Sequence, residues 1–271
     1  MKQIHRHGFV RLVDTMPRED LDHAIVQSAR VSYGEGTKSV RSDRGLIRYL
    51  LRNEHSTPFE MVEFKFHIKM PIFLARQHMR HRTASINEIS GRYSELSEEF
   101  HVPEDLRGQS SINHQGSEGV LETPEAMVLL REQKASCEKA FEVYGDMLKM
   151  GVARETAREH LPLSTYTEFY WKINLKNLLH YLHLRMDEHA QSEIRDYATA
   201  IYELIKPLVP VVCEAYEDYV LGSVTLSKME IVKIRQILLN RGHEPFVSSA
   251  EEQDFQRKLR VLGIPPLVSD V

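Results

Sequence analysis

Met61-Val-Glu-Phe-Lys-Phe-His-Ile-Lys-Met70 alternates with a period of two: Phe64, Phe66, Ile68 and Met70 share one face, and Glu63, Lys65, His67 and Lys69 share the other. Successive side chains of a strand point to opposite sides, so the stretch predicts a half-buried β-strand. A second strand is predicted over residues 165–173, where Thr, Phe, Trp and Ile alternate against Tyr, Glu and Lys. Both strands lie among helical patterns of unequal length, without regular β-α alternation. That arrangement points to an α+β fold, a mixed α/β architecture rather than a doubly wound parallel sheet.

The helical patterns flank these strands. Residues 17–32 carry Leu21, Ala24, Ile25, Ser28 and Ala29 at helical spacing, and Ser42 is placed to cap a second helix with Leu46, Ile47, Leu50 and Leu51 inward. Pro71 suits the first turn of a helix that would bring Arg76, Gln77 and Arg80 to one side. Residues 103–123, rich in Ser, Gly, Gln and Asn, predict a long loop that could cover a ligand. Thr123-Pro124 opens a long helix with Met127, Leu130, Phe141, Tyr144 and Leu148 as core contacts and Gly151 as its stop. Further helices are expected from Leu175 into Asp187 and from His189 through Tyr219, the latter interrupted at Pro207 and Pro210. Residues 226–240 predict an amphipathic helix, with Met229, Ile231, Val232, Ile234, Ile237 and Leu238 on its apolar side and Gly242 and Pro245 ending it.

At 271 residues, 42% hydrophobic and 27% charged, the chain can bury one substantial core. A net charge of -4 disfavours a general nucleic-acid coat. No apolar run reaches the ~18 residues of a membrane span and no charged-then-apolar leader opens the chain, so a cytoplasmic protein is expected. Two cysteines, Cys137 and Cys213, are too few for a disulfide framework and sit in apolar helical patterns, where an inert buried thiol is expected.

One stretch breaks this ordinary composition. Residues 76–93 hold Arg76, Arg80, Arg82, Arg92, His78 and His81 against a single acid, Glu88. A solvated helix face would alternate signs, whereas this crowding requires a counter-anion. Guanidinium forks match phosphate geometry, and Ser85, Ser90 and Gly91 can add backbone N–H donors. Local positive charge in an acidic chain suits a small anionic ligand.

The pattern Arg80-His81-Arg82, seven residues and then Ser90, with Gln77, Glu88, Gly91 and Arg92 beside it, resembles the signature of the flavin-dependent thymidylate synthases. The resemblance continues through residues 29–33, Glu54-His55-Ser56-Thr57-Pro58-Phe59-Glu60, Arg158 with Leu161-Pro162, and Asn174 to Gln191, covering roughly residues 1–220. It implies a catalytic domain over residues 1–221, with residues 222–271 as a helical extension packing on it. It also implies an antiparallel-type sheet flanked by helices and a homotetramer with active sites where subunits meet. The implied reaction is reductive methylation of dUMP to dTMP, with methylenetetrahydrofolate as carbon donor, NADPH as reductant and FAD as cofactor. Side chains alone cannot transfer and reduce a one-carbon unit, so a redox cofactor is chemically required.

Family matching also implies roles. Gln77, Arg80, Glu88, Ser90, Gly91, Arg92 and Arg158 would surround dUMP, whose phosphate needs several cationic donors. Arg185 would lie beside the pyrimidine and stabilise charge developing there, forming a catalytic set with His55 and Ser90. Ser32, Thr57, Glu60, Arg80, His81, Arg82, Glu88 and Asn174 would hold FAD, with His81 and Arg82 pairing with its pyrophosphate. Lys176 and His180 depart from the arginine and asparagine that some members carry near the flavin nucleotide, and a lysine cannot reproduce a bidentate fork. Tyr93 is the aromatic residue best placed to stack on a ring.

Other readings compete. Fourteen histidines include His78 with His81 and His180 with His183 at helical spacing, yet neighbouring arginines would repel a cation, so no metal is expected. Glu54 with Glu60, or Glu98 with Glu99, could form hydrolytic carboxylate pairs but read as solvated. The alternative function is a non-catalytic nucleotide or nucleic-acid binding protein using the arginine cluster, which would leave Arg185 without a role.

Overall fold

The protein is described from a computed structural model, which covers residues 1–33, 43–110, 116–239, 246 and 248–264. The expected Ser42 cap and the Gly242–Pro245 helix end lie outside the described residues. The chain divides into two compact units, residues 1–219 and 220–271.

The first unit is built on five antiparallel strands in the order β1-β2-β3-β7-β4. They are β1 (Lys2–Ile4), β2 (Gly8–Met16), β3 (Glu63–Pro71), β4 (Ser85–Glu88) and β7 (Tyr166–Asn174). The alternation in β3 is realised: Phe64, Phe66, Ile68 and Met70 are wholly buried, each contributing about 1.5–3 kcal/mol of transfer free energy. β7 buries Thr167, Phe169, Trp171 and Ile173 on the same face and pairs with β3 from Glu63↔Asn174 to Pro71↔Tyr166. Helices cover that face: α4 (Ile72–His78) packs on β3 and β7, α7 (Leu175–Arg185) on β7, and α8 (Ser192–Ile205) on β1 and β2. Around them stand α1 (Leu21–Arg30), α2 (Asp43–Arg52), α3 (Thr57–Glu60) and α9 (Pro210–Tyr216).

Strands β1 and β2 were not expected from the sequence. β2 buries only Gly8 and Val10 fully and carries a register shift between Leu12 and Asp14, so its period is broken midway. Gly8 has a steric reason: a Cβ there would stand 1.9 Å from Tyr197 Oη, the hydroxyl that donates to Lys69 O at 2.8 Å and seats α8 on the sheet. Because β2 runs to Met16, α1 begins at Leu21 rather than near Pro17.

The segment read as a loop over residues 103–123 is partly ordered by pairing, since β5 (Arg107–Gln109) and β6 (Ser117–Val120) form a two-stranded ladder. After it, α5 (Pro124–Lys149) starts as its sequence requires: Thr123 Oγ1 accepts the Ala126 N–H at 3.2 Å. Gly151, at φ +82°, follows the last turn. Phe141 and Tyr144 join Ala157 of α6 (Arg154–Ala157) in a second small core, with Leu148 packed on it. Met127 is a correction: it is 53% exposed and takes no part.

In residues 220–271, α10 (Lys228–Leu238) and α11 (Ser249–Val261) gather Ile237, Phe255 and Leu259 into their own cluster, with Ile234, Phe246 and Ile264 at its edge. A capping box of Ser227 and Glu230 opens α10. Met229, Ile231, Val232 and Leu238, expected on its buried side, are exposed. Among the described residues no helix is long and apolar enough to cross a membrane.

Candidate active site

The arginine signature straddles one edge strand. Arg80, His81 and Arg82 precede β4, Ser90, Gly91 and Arg92 come after it, and β4 is held against β7 from Ser85↔Lys172 to Glu88↔Phe169. The single-face helix expected to carry Arg76, Gln77 and Arg80 ends early. α4 stops at His78, the Arg80 N–H reaches the Gln77 carbonyl at 3.4 Å, and Arg76 is exposed on the helix.

A cleft of about 350 Å³ is lined by Arg80, His81, Arg82, Thr83, Ile173, Asn177, His180, Leu184 and Arg185, and Arg76 is no part of it. Among the described residues, three guanidinium groups line it and no carboxylate does. Its walls are rigid for identifiable reasons. Ile72 and Phe73 N–H groups anchor α4 to the carbonyls of Thr165 and Leu163 at 2.9 and 3.0 Å. His78 Nδ1 is hydrogen-bonded to the Tyr181 hydroxyl at 3.0 Å, which locks α4 to α7, and its ring lies 4.2 Å from that of Trp171. Burial, helped by the neighbouring His81 and Arg185, lowers the His78 pKa to about 3, so this imidazole is neutral.

Arg185, in the last turn of α7, donates from Nε to His81 Nε2 at 3.1 Å and from Nη2 to the Gln77 carbonyl at 3.5 Å. Burial, then Arg185 and His180, lower the His81 pKa to about 4. A neutral His81 can meet a pyrophosphate as an N–H donor but not as a cation. The Gln77 amide donates to Gln191 Oε1 at 2.6 Å, tying the end of α4 to the start of α8.

The other end of β4 holds a second group. Gly91 is buried against Arg158, where an added Cβ would meet Arg158 Cδ at 3.0 Å and Leu96 Cδ1 at 3.2 Å. The Arg92 N–H donates to Ser90 Oγ at 3.3 Å, while the Arg92 side chain engages Glu155 Oε2 from Nε at 3.0 Å and from Nη2 at 2.9 Å. That pair is exposed, so Arg92 is held loosely and remains exchangeable. Glu88 Oε1 accepts from the Thr167 hydroxyl at 2.5 Å, and Tyr93 stands 79% exposed beside the group.

The remaining expected residues are dispersed. His55 is exposed at the head of α3, which packs against α7, while Thr57 and Glu60 lie on that helix, Glu60 half-buried; the His55 ring meets Tyr49 edge-on at 5.6 Å. Ser32 is exposed in the turn after α1. Asn174 caps α7, its Oδ1 accepting both the backbone N–H and the side-chain amide of Asn177 at 2.9 Å. Sequence reasoning missed Asn177, Thr83 and Leu184 as cleft residues; the Asn-x-x-Asn cap spacing was the available signal for Asn177. Of the two positions that depart from the family pattern, His180 lines the cleft and Lys176 turns to Asn177 Oδ1 at 3.4 Å.

Cys137 and Cys213 are both buried, and burial pushes Cys213 up to about 12, which disfavours its thiolate. Glu99, weighed as half of a hydrolytic pair, is engaged by Lys69 at 2.5 Å and His7 at 3.4 Å.

Comparison with known proteins identifies the family. The profile of the family described as thymidylate synthase complementing protein matches residues 11–211. A flavin-dependent thymidylate synthase of Thermus thermophilus is 54% identical over 242 residues, covering 89% of this chain and 87% of its own. One from Dictyostelium discoideum is 53% identical over 240 residues, covering 86% and 79%. Among solved structures, a UMP/dUMP methylase PolB from Streptomyces cacaoi bound with 5-Br dUMP superposes with a TM-score of 0.70 at 35% identity, covering 81% of this chain and 98% of that one. The chain belongs to the flavin-dependent thymidylate synthase family.

Proposed function

We propose that this chain converts dUMP to dTMP, taking the carbon from methylenetetrahydrofolate and releasing tetrahydrofolate, with FAD reduced by NADPH as its cofactor. The observation that carries the reading is the cleft with three permanent cations and no acid among its described lining residues, within a chain of net charge -4. Such a wall needs an anion, and its donors suit one: Arg80 and Arg82 as phosphate forks, Asn177 and Thr83 for ribose or ring edges. FAD fits that donor set, and when bound it supplies the hydride that no side chain can.

The protein's own groups bind and orient. Arg185 places a fixed positive charge at the pyrimidine and stabilises negative charge developing there. Ser90, Gly91, Arg92 and Arg158 at the far end of β4 grip the dUMP phosphate, with Gln77, Arg80 and Glu88 completing the substrate contacts. His55, Thr57, Glu60, Ser32 and Asn174 belong to the flavin side. Within one chain the Arg80–Arg185 group and the Ser90–Arg158 group sit at opposite ends of β4. This separation supports a homotetramer in which neighbouring subunits complete each site.

Freshly purified protein is expected to show flavin absorption that bleaches on addition of NADPH, faster with dUMP present. Protein that is colourless, refuses FAD and forms no dTMP with all co-substrates supplied would overturn the reading. Gly91→Ala tests the phosphate grip. The added methyl must push Arg158 aside, so KM for dUMP is expected to rise roughly 3–10-fold with kcat less affected. An unchanged KM would remove Arg158 from the substrate site.

A further inference from the structure

The Arg185–His81 contact fixes a protonation state from geometry. A guanidinium Nε–H can only donate, so at 3.1 Å the His81 Nε2 must present its lone pair. The imidazole is therefore neutral, with its single proton on Nδ1. Every group facing it is consistent with that state. Arg80, Arg82, His180 and Arg185 line the same cleft, His78 lies buried beneath, and among the described residues no carboxylate lines the cleft to favour an imidazolium. The ring is also fixed in place. It rests edge-on against Tyr181 at 4.9 Å, and its backbone N–H donates to the His78 carbonyl at 3.2 Å. Tyr181 is itself tied to His78. Behind the Arg185 guanidinium there is thus a fixed acceptor, and Gln77 O takes Nη2 at 3.5 Å. A long side chain at the end of a helix would otherwise sample several rotamers, and this acceptor selects one.

We propose that His81 is a positioning residue acting through Arg185: as a neutral acceptor it holds the guanidinium in the orientation the pyrimidine requires, instead of serving as another cation for phosphate. The proposal rests on the thymidylate synthase reading and deepens it. The two roles for His81 separate on substitution. A lysine at position 81 would serve a phosphate at least as well, but it offers no lone pair and repels Arg185. An asparagine keeps an acceptor oxygen without charge, and a phenylalanine keeps the ring without the acceptor.

The experiment compares the full-length wild type with His81→Lys, His81→Asn, His81→Phe, Arg185→Ala and the double variant His81→Lys/Arg185→Ala. Flavin content, kcat for dTMP formation and the exchange protection of the Arg185 Nε–H in 15N spectra are measured for each; that resonance is identified by its absence from Arg185→Ala. In His81→Lys, flavin content is expected within about twofold of wild type while kcat falls roughly 30-fold or more. His81→Asn is expected to lose at least about tenfold less than His81→Lys, and the double variant to match Arg185→Ala within about threefold, because the two residues act as one unit. Protection of the Arg185 Nε–H should disappear in His81→Lys and His81→Phe. The proposal is overturned if His81→Lys turns over within about threefold of wild type, if it loses flavin in step with turnover, or if the two losses multiply in the double variant. Should His81→Lys not fold by circular dichroism, the ordering of His81→Asn above His81→Phe decides in its place. A wild type that forms no dTMP would sink the functional reading, while the Nε–H protection would still decide the role of His81.

Discussion

Arg185→Ala is expected to cost about 10²–10³ in kcat while leaving flavin content within about twofold of wild type. The asymmetry comes from where the residue sits. Arg185 is borne by the last turn of α7, a helix fixed by Leu175, Leu178, Leu179, Tyr181 and Leu182 in the core. Removing its side chain therefore takes a charge from the cleft lining while the helix that bears it stays packed. Arg80 and Arg82 remain to hold an anion in the cleft. Turnover with saturating substrates, read beside the flavin spectrum of the same preparation, checks this. A loss of flavin equal to the loss of kcat would make Arg185 a structural residue.

Acid should destabilise this protein through His78. In the unfolded chain its imidazole binds a proton near pH 6.5, while in the folded protein burial delays protonation to about pH 3. Between those values the unfolded state carries more protons, so the contribution is complete above pH 6.5 and is lost progressively as pH falls toward 3. At pH 5 the loss from this one group is about 2 kcal/mol. Urea unfolding at pH 7.5 and pH 5.0 tests it against His78→Phe. The variant sacrifices the Tyr181 hydrogen bond, about 1–3 kcal/mol at both pH values, but cannot titrate. Its stability should fall by about 2 kcal/mol less than that of wild type across the interval. Equal falls would assign the acid sensitivity elsewhere.

The parts of this molecule that could be read from the chain are those whose signal is local. β3 and β7 alternate over nine residues each with bulky side chains on the buried face. α5 announces both of its ends, with Thr123-Pro124 at its start and Gly151 just past its last turn. β2 was hidden because a register shift after Leu12 interrupts its period and little of it is buried. The end of α4 was hidden too, because neither glycine nor proline stands between His78 and Thr83. Residue types in the signature pointed to an anion site, and Arg80 and Arg82 of that stretch line a cleft together with Arg185. What they could not convey is pairing across the fold: His81 with Arg185, Gln77 with Gln191 and Arg92 with Glu155 depend on tertiary approach. The lowered pKa of His81 is of the same kind, since it comes from packed neighbours that the sequence does not place.

The short edge strand β4 makes the spacing of the signature a matter of length. The four paired residues of β4 span three rises of about 3.4 Å, roughly 10 Å, within the seven-residue interval between Arg82 and Ser90. The ladder to β7 keeps this ruler from stretching. Inserting or deleting one residue within β4 would change that gauge by a full rise and turn Glu88 away from Thr167. Among proteins sharing this architecture, the interval between the two grips should therefore tolerate changes in side chain but not in number.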